Sequence, residues 1–310
     1  MIQKIHIVGG TSLAIGKRTS MSPSTASGLF TNSSTRLIGV LLVLVSAGIF
    51  SSAGLFVKSV TAEVWVIIFW RGLFAVLFTT VYIIYRGTLR KEFTQMGKPG
   101  VAAAVIGGLG AIAFIAAFKF TSIANVSLIY AASPFIAAAI MWFWMREKPT
   151  LTIIIASLVA FSGVLVIVVG SIGNINLKGD LLALWMTITM SIYFCIYRRF
   201  PNTPAAGPAV LMSFLLVIVA LLFVNPFHAP LDEILIMAAF GLVFSAASVT
   251  LAEGAKRLPA AETALLSALE TPLAPVWAWL MFSEIPAALT LVGGVIVLLA
   301  VYGSQLFNKP

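Results

Sequence analysis

Two ionisable side chains stand inside long apolar runs. Arg71 interrupts VWVIIFWRGLFAVLFTT (64–80), and Glu270 sits with Thr271 and Pro272 in TALLSALETPLAPVWAW (263–279). A carboxyl there can neutralise an ammonium or give and take a proton, and the planar fork of a guanidinium matches a carboxylate. Together they suit a zwitterion, and they suit one another equally well. Arg71 lies eight residues beyond Glu63, roughly 12 Å into its helix at 1.5 Å per residue. Glu270 lies nine residues beyond Ala261, roughly 14 Å in from the opposite entry. In an apolar core about 30 Å thick the two heights differ by a few ångströms. Arg71 is also read as a structural cation that reaches back to the nearer interface.

Hydroxyls and aromatic rings accompany these charges. Thr263, Glu270, Trp277 and Glu284 recur every seven residues and share one helical face. Ser127, Tyr130 and Ser133 precede Pro134, Trp185, Thr189 and Tyr193 follow at four-residue spacing, and Ser245, Ser248 and Ser51 complete the set. We take Glu270, Thr271, Tyr130, Ser133, Ser51, Trp185, Tyr193, Ser245 and Trp277 as candidates for lining a substrate cavity, with Arg71 as a structural or coupling charge. Each hydroxyl can instead bond to its own helix, and each ring can pack toward lipid. Pro134 and Pro272 each remove a backbone hydrogen bond near mid-span, which makes them hinge candidates or fixed kinks.

Other chemistry is poorly provided for. The two histidines, His6 and His228, lie outside the apolar runs, and Cys195 is the one cysteine. No metal set, cofactor motif or convergent nucleophile and base is present, which argues against an enzyme. There is no phosphate-cradling G-x-x-x-x-G-K-[ST] loop and no ring of like charge for a channel filter. The net charge of +9 is scattered between apolar runs, so nucleic acid is not an expected partner.

The elements that must hold these residues follow from composition. Of 310 residues 60% are hydrophobic and 9% charged, with a mean hydropathy of +1.07. Those values belong to an integral membrane protein, whose partners are the lipid bilayer and a small-molecule substrate. Ten runs are long enough to cross as helices: 37–57, 64–85, 100–118, 124–145, 150–170, 180–198, 206–224, 233–252, 261–282 and 286–307. Residues 1–35, rich in Ser, Thr and Gly, read as a disordered cytoplasmic leader. With the N-terminus inside, fifteen Lys and Arg fall on the cytoplasmic side and only Lys58, Lys119 and Lys178 on the other. Both termini are therefore expected to be cytoplasmic.

Shifted by about 140 residues, RLIGVLLVLVSAGIFSSAGLFVK (36–58) falls on NLKGDLLALWMTITMSIYFCIYR (176–198), with Gly39 on Gly179. YAASPFIAAAIMWFWMREKPTLT (130–152) falls on 267–290, with Pro134 on Pro272 and Glu147 on Glu284. The reading is an all-α membrane fold of two five-helix repeats, 36–171 and 172–308. An odd number of crossings makes the repeats inverted, around a central cavity. Small residues at Ala103, Gly107 and Ala111, and Gly293 with Gly294, read as helix-packing seams, with a homodimer seam as the lesser option.

The Glu-x-Pro before the last helix of each half (Glu147 to Pro149, Glu284 to Pro286), FWRGLFA (69–75) and LVGGVIVLLAVYG (291–303) resemble the EamA-type members of the drug/metabolite transporter superfamily. The resemblance covers about residues 37–307. It implies ten helices around a cavity and metabolite export by alternating access across a bacterial inner membrane. The subgroup it favours is the YddG-like exporters of aromatic and other neutral amino acids. Exporters of cationic drugs, sugars or nucleobases are the alternative. No cofactor is implied, and the chain is expected to act as a monomer or weak homodimer.

Overall fold

Apolar runs with few breakers leave the backbone no partner but itself, so the described residues are built of helices joined by short turns. The computed structural model describes residues 23–169, 176–282 and 288–307. Its helices are α1 (Pro23–Phe50), α2 (Ala53–Lys58), α3 (Val64–Tyr85), α4 (Leu89–Thr94), α5 (Gly97–Phe120), α6 (Ile123–Tyr130) and α7 (Ser133–Met145). They are followed by α8 (Leu151–Val169), α9 (Leu177–Arg199), α10 (Ala206–Leu221), α11 (Leu231–Ala255), α12 (Ala260–Ser267), α13 (Glu270–Phe282) and α14 (Ala288–Phe307). Helix α1 begins at Pro23, inside the stretch read as a leader, and residues 1–22 lie outside the described residues.

Eight stretches are long and apolar enough to cross a membrane, counting Ser34–Lys58 and Asn125–Met145 as one span each. They coincide with eight of the ten runs read from the sequence. Two runs differ. Helix α10 has 16 residues, about 24 Å of rise and short for a 30 Å core. The run at 261–282 is two helices, α12 and α13, separated at Ala268 and Leu269 and carrying Glu262 and Glu270.

The helices are apolar outside as well as inside, unlike those of a soluble bundle, and where they pack closest the inner residues are small. On α14, Leu291, Val295, Leu298 and Tyr302 are exposed while Gly293, Gly294, Val297, Ala300 and Ser304 are buried. Leu37, Leu41 and Val45 repeat the exposed stripe on α1 at helical spacing. Such continuous apolar faces need a lipid environment.

Packing joins the two halves pairwise. Helix α1 lies on α11, α5 on α9, α3 on α10, α7 on α12 and α8 on α14. The closest approaches are at glycines. A Cβ on Gly163 of α8 would meet the Gly293 carbonyl of α14 at 2.8 Å, so these helices touch through their backbones. Gly39 of α1 abuts Arg257 and Leu258 just past α11, and Gly179 of α9 abuts Phe120 and Thr121 at the end of α5. The two glycines aligned in the sequence thus occupy matching positions. The seam of Ala103, Gly107 and Ala111 is buried inside the bundle, and Gly107 lies against Met212 and Tyr193.

Each end of the bundle has its own polar contacts. At one end Arg36 donates to Glu262 (2.6 Å) and Gln305 (3.0 Å), Arg257 and Lys256 bind Glu253, and Arg198 meets Glu147. At the other, Glu233 accepts from the backbone N–H groups of Thr61 (2.7 Å) and Ala62 (3.1 Å), Lys119 donates to the Val60 carbonyl, and Thr121 donates to Asp180. Arg86, Gly87 and Thr88 end α3 in a Schellman turn: Gly87, with φ +63, and Thr88 donate back to Ile84 and Ile83.

Candidate functional site

Three spans are interrupted, and a residue at or beside each interruption, Ser51, Tyr130 and Glu270, lines the same cavity. The first falls between α1 and α2, where Ser51 Oγ donates to the Gly48 carbonyl and Ser52 Oγ to that of Ile49, both at short range. Serines that bond back to the preceding turn loosen and bend a helix. The second falls at Ala131 and Ala132 between α6 and α7, and the third at Ala268 and Leu269 between α12 and α13. Pro134 and Pro272 do not kink a continuous helix, as the sequence suggested. Each stands in the first turn of the second half-helix, where a missing N–H costs nothing. Pro275 lies further inside α13.

The cavity is about 690 Å³ in volume, within the range of small-molecule sites. Its inner wall is formed by Tyr193, Ser248 and Leu251 at mid-bundle, and its lining continues past Tyr130, Glu270 and Thr271 to Lys58, Ser122 and Thr290. It therefore extends toward the end that carries Lys58 and Lys119. Below Tyr193 the arginine-rich end is filled: Tyr197 is fully buried, and so is every residue of α12. Most of the wall is apolar, supplied by Phe50, Phe114, Phe118, Phe244, Met186, Met190 and Met212.

Glu270 is the first residue of α13, at the positive end of that helix dipole. It lies in electrostatic reach of Tyr130 and pairs with no cation among the described residues. Of the candidates, Glu270, Thr271, Tyr130, Ser51 and Tyr193 border the cavity, together with Ser127 and Ser248. Trp277 is outside the lining and partly exposed, but its Nε1 donates to the lining residue Ser51 at Oγ (2.7 Å). This bond ties the break in the first span to the half-helix that begins with Glu270.

The remaining candidates lie elsewhere. Trp185 is half exposed and outside the lining. Ser133 is fully buried with no hydrogen-bond partner for its Oγ among the described residues. Ser245 and Thr189 bond to carbonyls of their own helices, as does Thr263 to Pro259. Glu284 lies outside the described residues. His228 is exposed, beside Asn225.

Arg71 does not border the cavity. It is fully buried, and none of its guanidinium nitrogens has a hydrogen-bond partner among the described residues. It does not pair with Glu270. Its Cζ lies 3.9 Å from the Phe244 ring centre and 5.6 Å from that of Phe240. Reading the sequence also missed Lys58 at the mouth and the phenylalanine and methionine wall. In an apolar span, wall residues and packing residues are of the same types, so no signal separated them.

A family model described as the EamA-like transporter family matches residues 37–169 and again 177–305. No curated protein matches the chain significantly. A solved crystal structure of a protein superposes with a TM-score of 0.72, covering 89% of this chain and 99% of its own, at 19% identity. That likeness is one of fold.

Proposed function

Because the chain belongs to the EamA-like transporter family, a multi-pass membrane family that moves small substrates, we propose that it exports neutral and aromatic amino acids by alternating access. In this reading ten helices cross a bacterial inner membrane, with α10 and the α12–α13 pair as the seventh and ninth. Both termini are cytoplasmic, and the two halves are inverted repeats. The pairing of α1 with α11 and of α5 with α9, together with the matching roles of Gly39 and Gly179, supports the inversion. The end bearing Lys58, Lys119 and Lys178 then faces outward. In this reading the cavity faces that side, and the packed arginine-rich end is the cytoplasmic one.

One observation carries the substrate class: a largely apolar, aromatic cavity where broken helices meet, with Glu270 the one carboxyl among its described lining residues. Interrupted helices at the midplane are where transporters bind their substrates. An ammonium meets Glu270, an apolar side chain meets Phe114, Phe118 and Met186, and Ser51, Thr271 and Tyr130 supply hydroxyls. Pro134 and Pro272 begin the half-helices that would tilt as access alternates. The small-residue seams are occupied within the chain, which favours a monomer or at most a weak homodimer. Export of cationic drugs is the second reading, favoured by the rings around that one carboxyl, since cations bind aromatic faces.

The test is a substrate panel in proteoliposomes without nucleotide. Uptake of phenylalanine, leucine and related neutral amino acids is expected. Silence toward them, with uptake of a quaternary ammonium compound or a sugar, replaces the amino-acid reading.

A further inference from the structure

Arg71 is fully buried, and its nitrogens have no acceptor among the described residues. Burying a charge that is neither paired nor hydrogen-bonded is among the most costly arrangements a fold can hold. Contact with an aromatic face offsets part of that cost. The faces available are Phe244 and Phe240, and Phe240 is itself stacked flat on Phe56 at 5.3 Å. Phe240 is thus held from both sides. Phe244 is not: its ring borders the cavity on one side and covers the guanidinium on the other. Its packing partner Phe50 also borders the cavity, in an edge-to-face contact at 5.7 Å. The Phe244 ring therefore lies between the cavity and a guanidinium that has no hydrogen-bond acceptor among the described residues.

We propose that Phe244 is a shutter over a carboxylate subsite formed by Arg71. When the ring swings into the cavity, the guanidinium fork becomes available to a carboxylate, and a bidentate pair replaces the cation–aromatic contact. The proposal rests on the amino-acid reading above and sharpens it. Glu270 takes the ammonium and Arg71 takes the carboxylate, so the substrate is a free α-amino acid and not an amine, an ester or an amide. Arg71 lies in α3 and Phe244 in α11, which pack together where Gly241 touches the Arg71 carbonyl. A side chain in place of the Gly241 hydrogen would force these helices apart, so the close approach holds the guanidinium against the shutter.

The test compares binding of L-phenylalanine, L-phenylalaninamide and benzoate to the purified full chain in nanodiscs. The native protein is expected to bind phenylalanine about 10- to 100-fold more tightly than the amide, the range for a charge-assisted pair. Arg71→Gln is expected to bring the two within about threefold, and Arg71→Lys to restore part of the difference. Phe244→Ala uncovers the fork and is expected to strengthen binding of phenylalanine and benzoate but not of the amide. It should also speed modification of Arg71 by phenylglyoxal about tenfold or more, as the residue changes from covered to reachable. Because Phe244→Ala retains the arginine, it decides the matter even where Arg71→Gln does not fold. If phenylalanine binds but neither variant changes the acid-to-amide ratio, the subsite is overturned and the amino-acid reading stands. If phenylalanine does not bind while benzoate binds in an Arg71-dependent manner, the amino-acid reading falls and the subsite stands.

Discussion

Closure of the arginine-rich end should depend on Glu262. This carboxyl is 1% exposed, on a helix whose every residue is buried, and it accepts from Arg36 at 2.6 Å and from Gln305 at 3.1 Å. Glu262→Gln keeps the shape and a neutral contact to Gln305 but removes the carboxylate charge from the ion pair with Arg36, and hydrogen bonds to charged groups are worth about 1.5–3 kcal/mol in general. Arg36 is 26% exposed and can turn its charge to water, so we discount that range to about 1–2 kcal/mol. That free energy changes a two-state ratio by about 5- to 30-fold, and it acts only in the state where the contact is made. The reporter is Thr263→Cys in a Cys195→Ser background, labelled by a maleimide. Thr263 is fully buried and away from the cavity lining, so its labelling reads opening of this end. Labelling about 5- to 30-fold faster in Glu262→Gln is expected. An unchanged rate in a folded protein would refute the closure. Arg36→Gln should act in the same direction and at least as strongly, because the partner it leaves is the more deeply buried one.

Further outcomes are specific. Gly163→Ala inserts a methyl 2.8 Å from the Gly293 carbonyl and 2.9 Å from a Val297 methyl, and should destabilise the protein by about 1–3 kcal/mol in thermal unfolding. Gly303→Ala, which meets nothing within 4 Å, should be neutral or stabilising by up to about 1 kcal/mol. Glu270→Gln should lower amino-acid transport at least tenfold, about the value of one charge-assisted bond, while its melting temperature stays near the native value. Full transport by Glu270→Gln would remove the carboxyl from the substrate site. Trp277→Phe breaks the bond to Ser51 (2.7 Å), costs about 0.5–1.5 kcal/mol, and should alter transport rate more than substrate affinity.

Eight of the ten spans and the twofold repeat were legible because apolar runs and matched glycines record helix length and close approach directly. Glu270, Tyr130, Ser51 and Tyr193 could be picked out because a polar group in an apolar span must face protein or water. That same argument could not say which of the two it faces. Thr189 and Ser245 satisfy themselves on their own helices, and Trp185 lies on the exposed surface. The break at Ser51 and Ser52 carries no proline, so only the serine back-bonds reveal it. Arg71 and Glu270 were placed at compatible heights, but height does not fix azimuth. Phe244, an ordinary apolar residue in sequence, stands between Arg71 and the cavity.

The central claim is that this cavity carries amino acids by alternating access. Counterflow in proteoliposomes tests it most directly: vesicles loaded with unlabelled phenylalanine, diluted into a trace of labelled phenylalanine, with no nucleotide present. The account predicts transient accumulation of label above equilibrium, abolished by Glu270→Gln. Label that rises only to equilibrium, or does not enter, contradicts it.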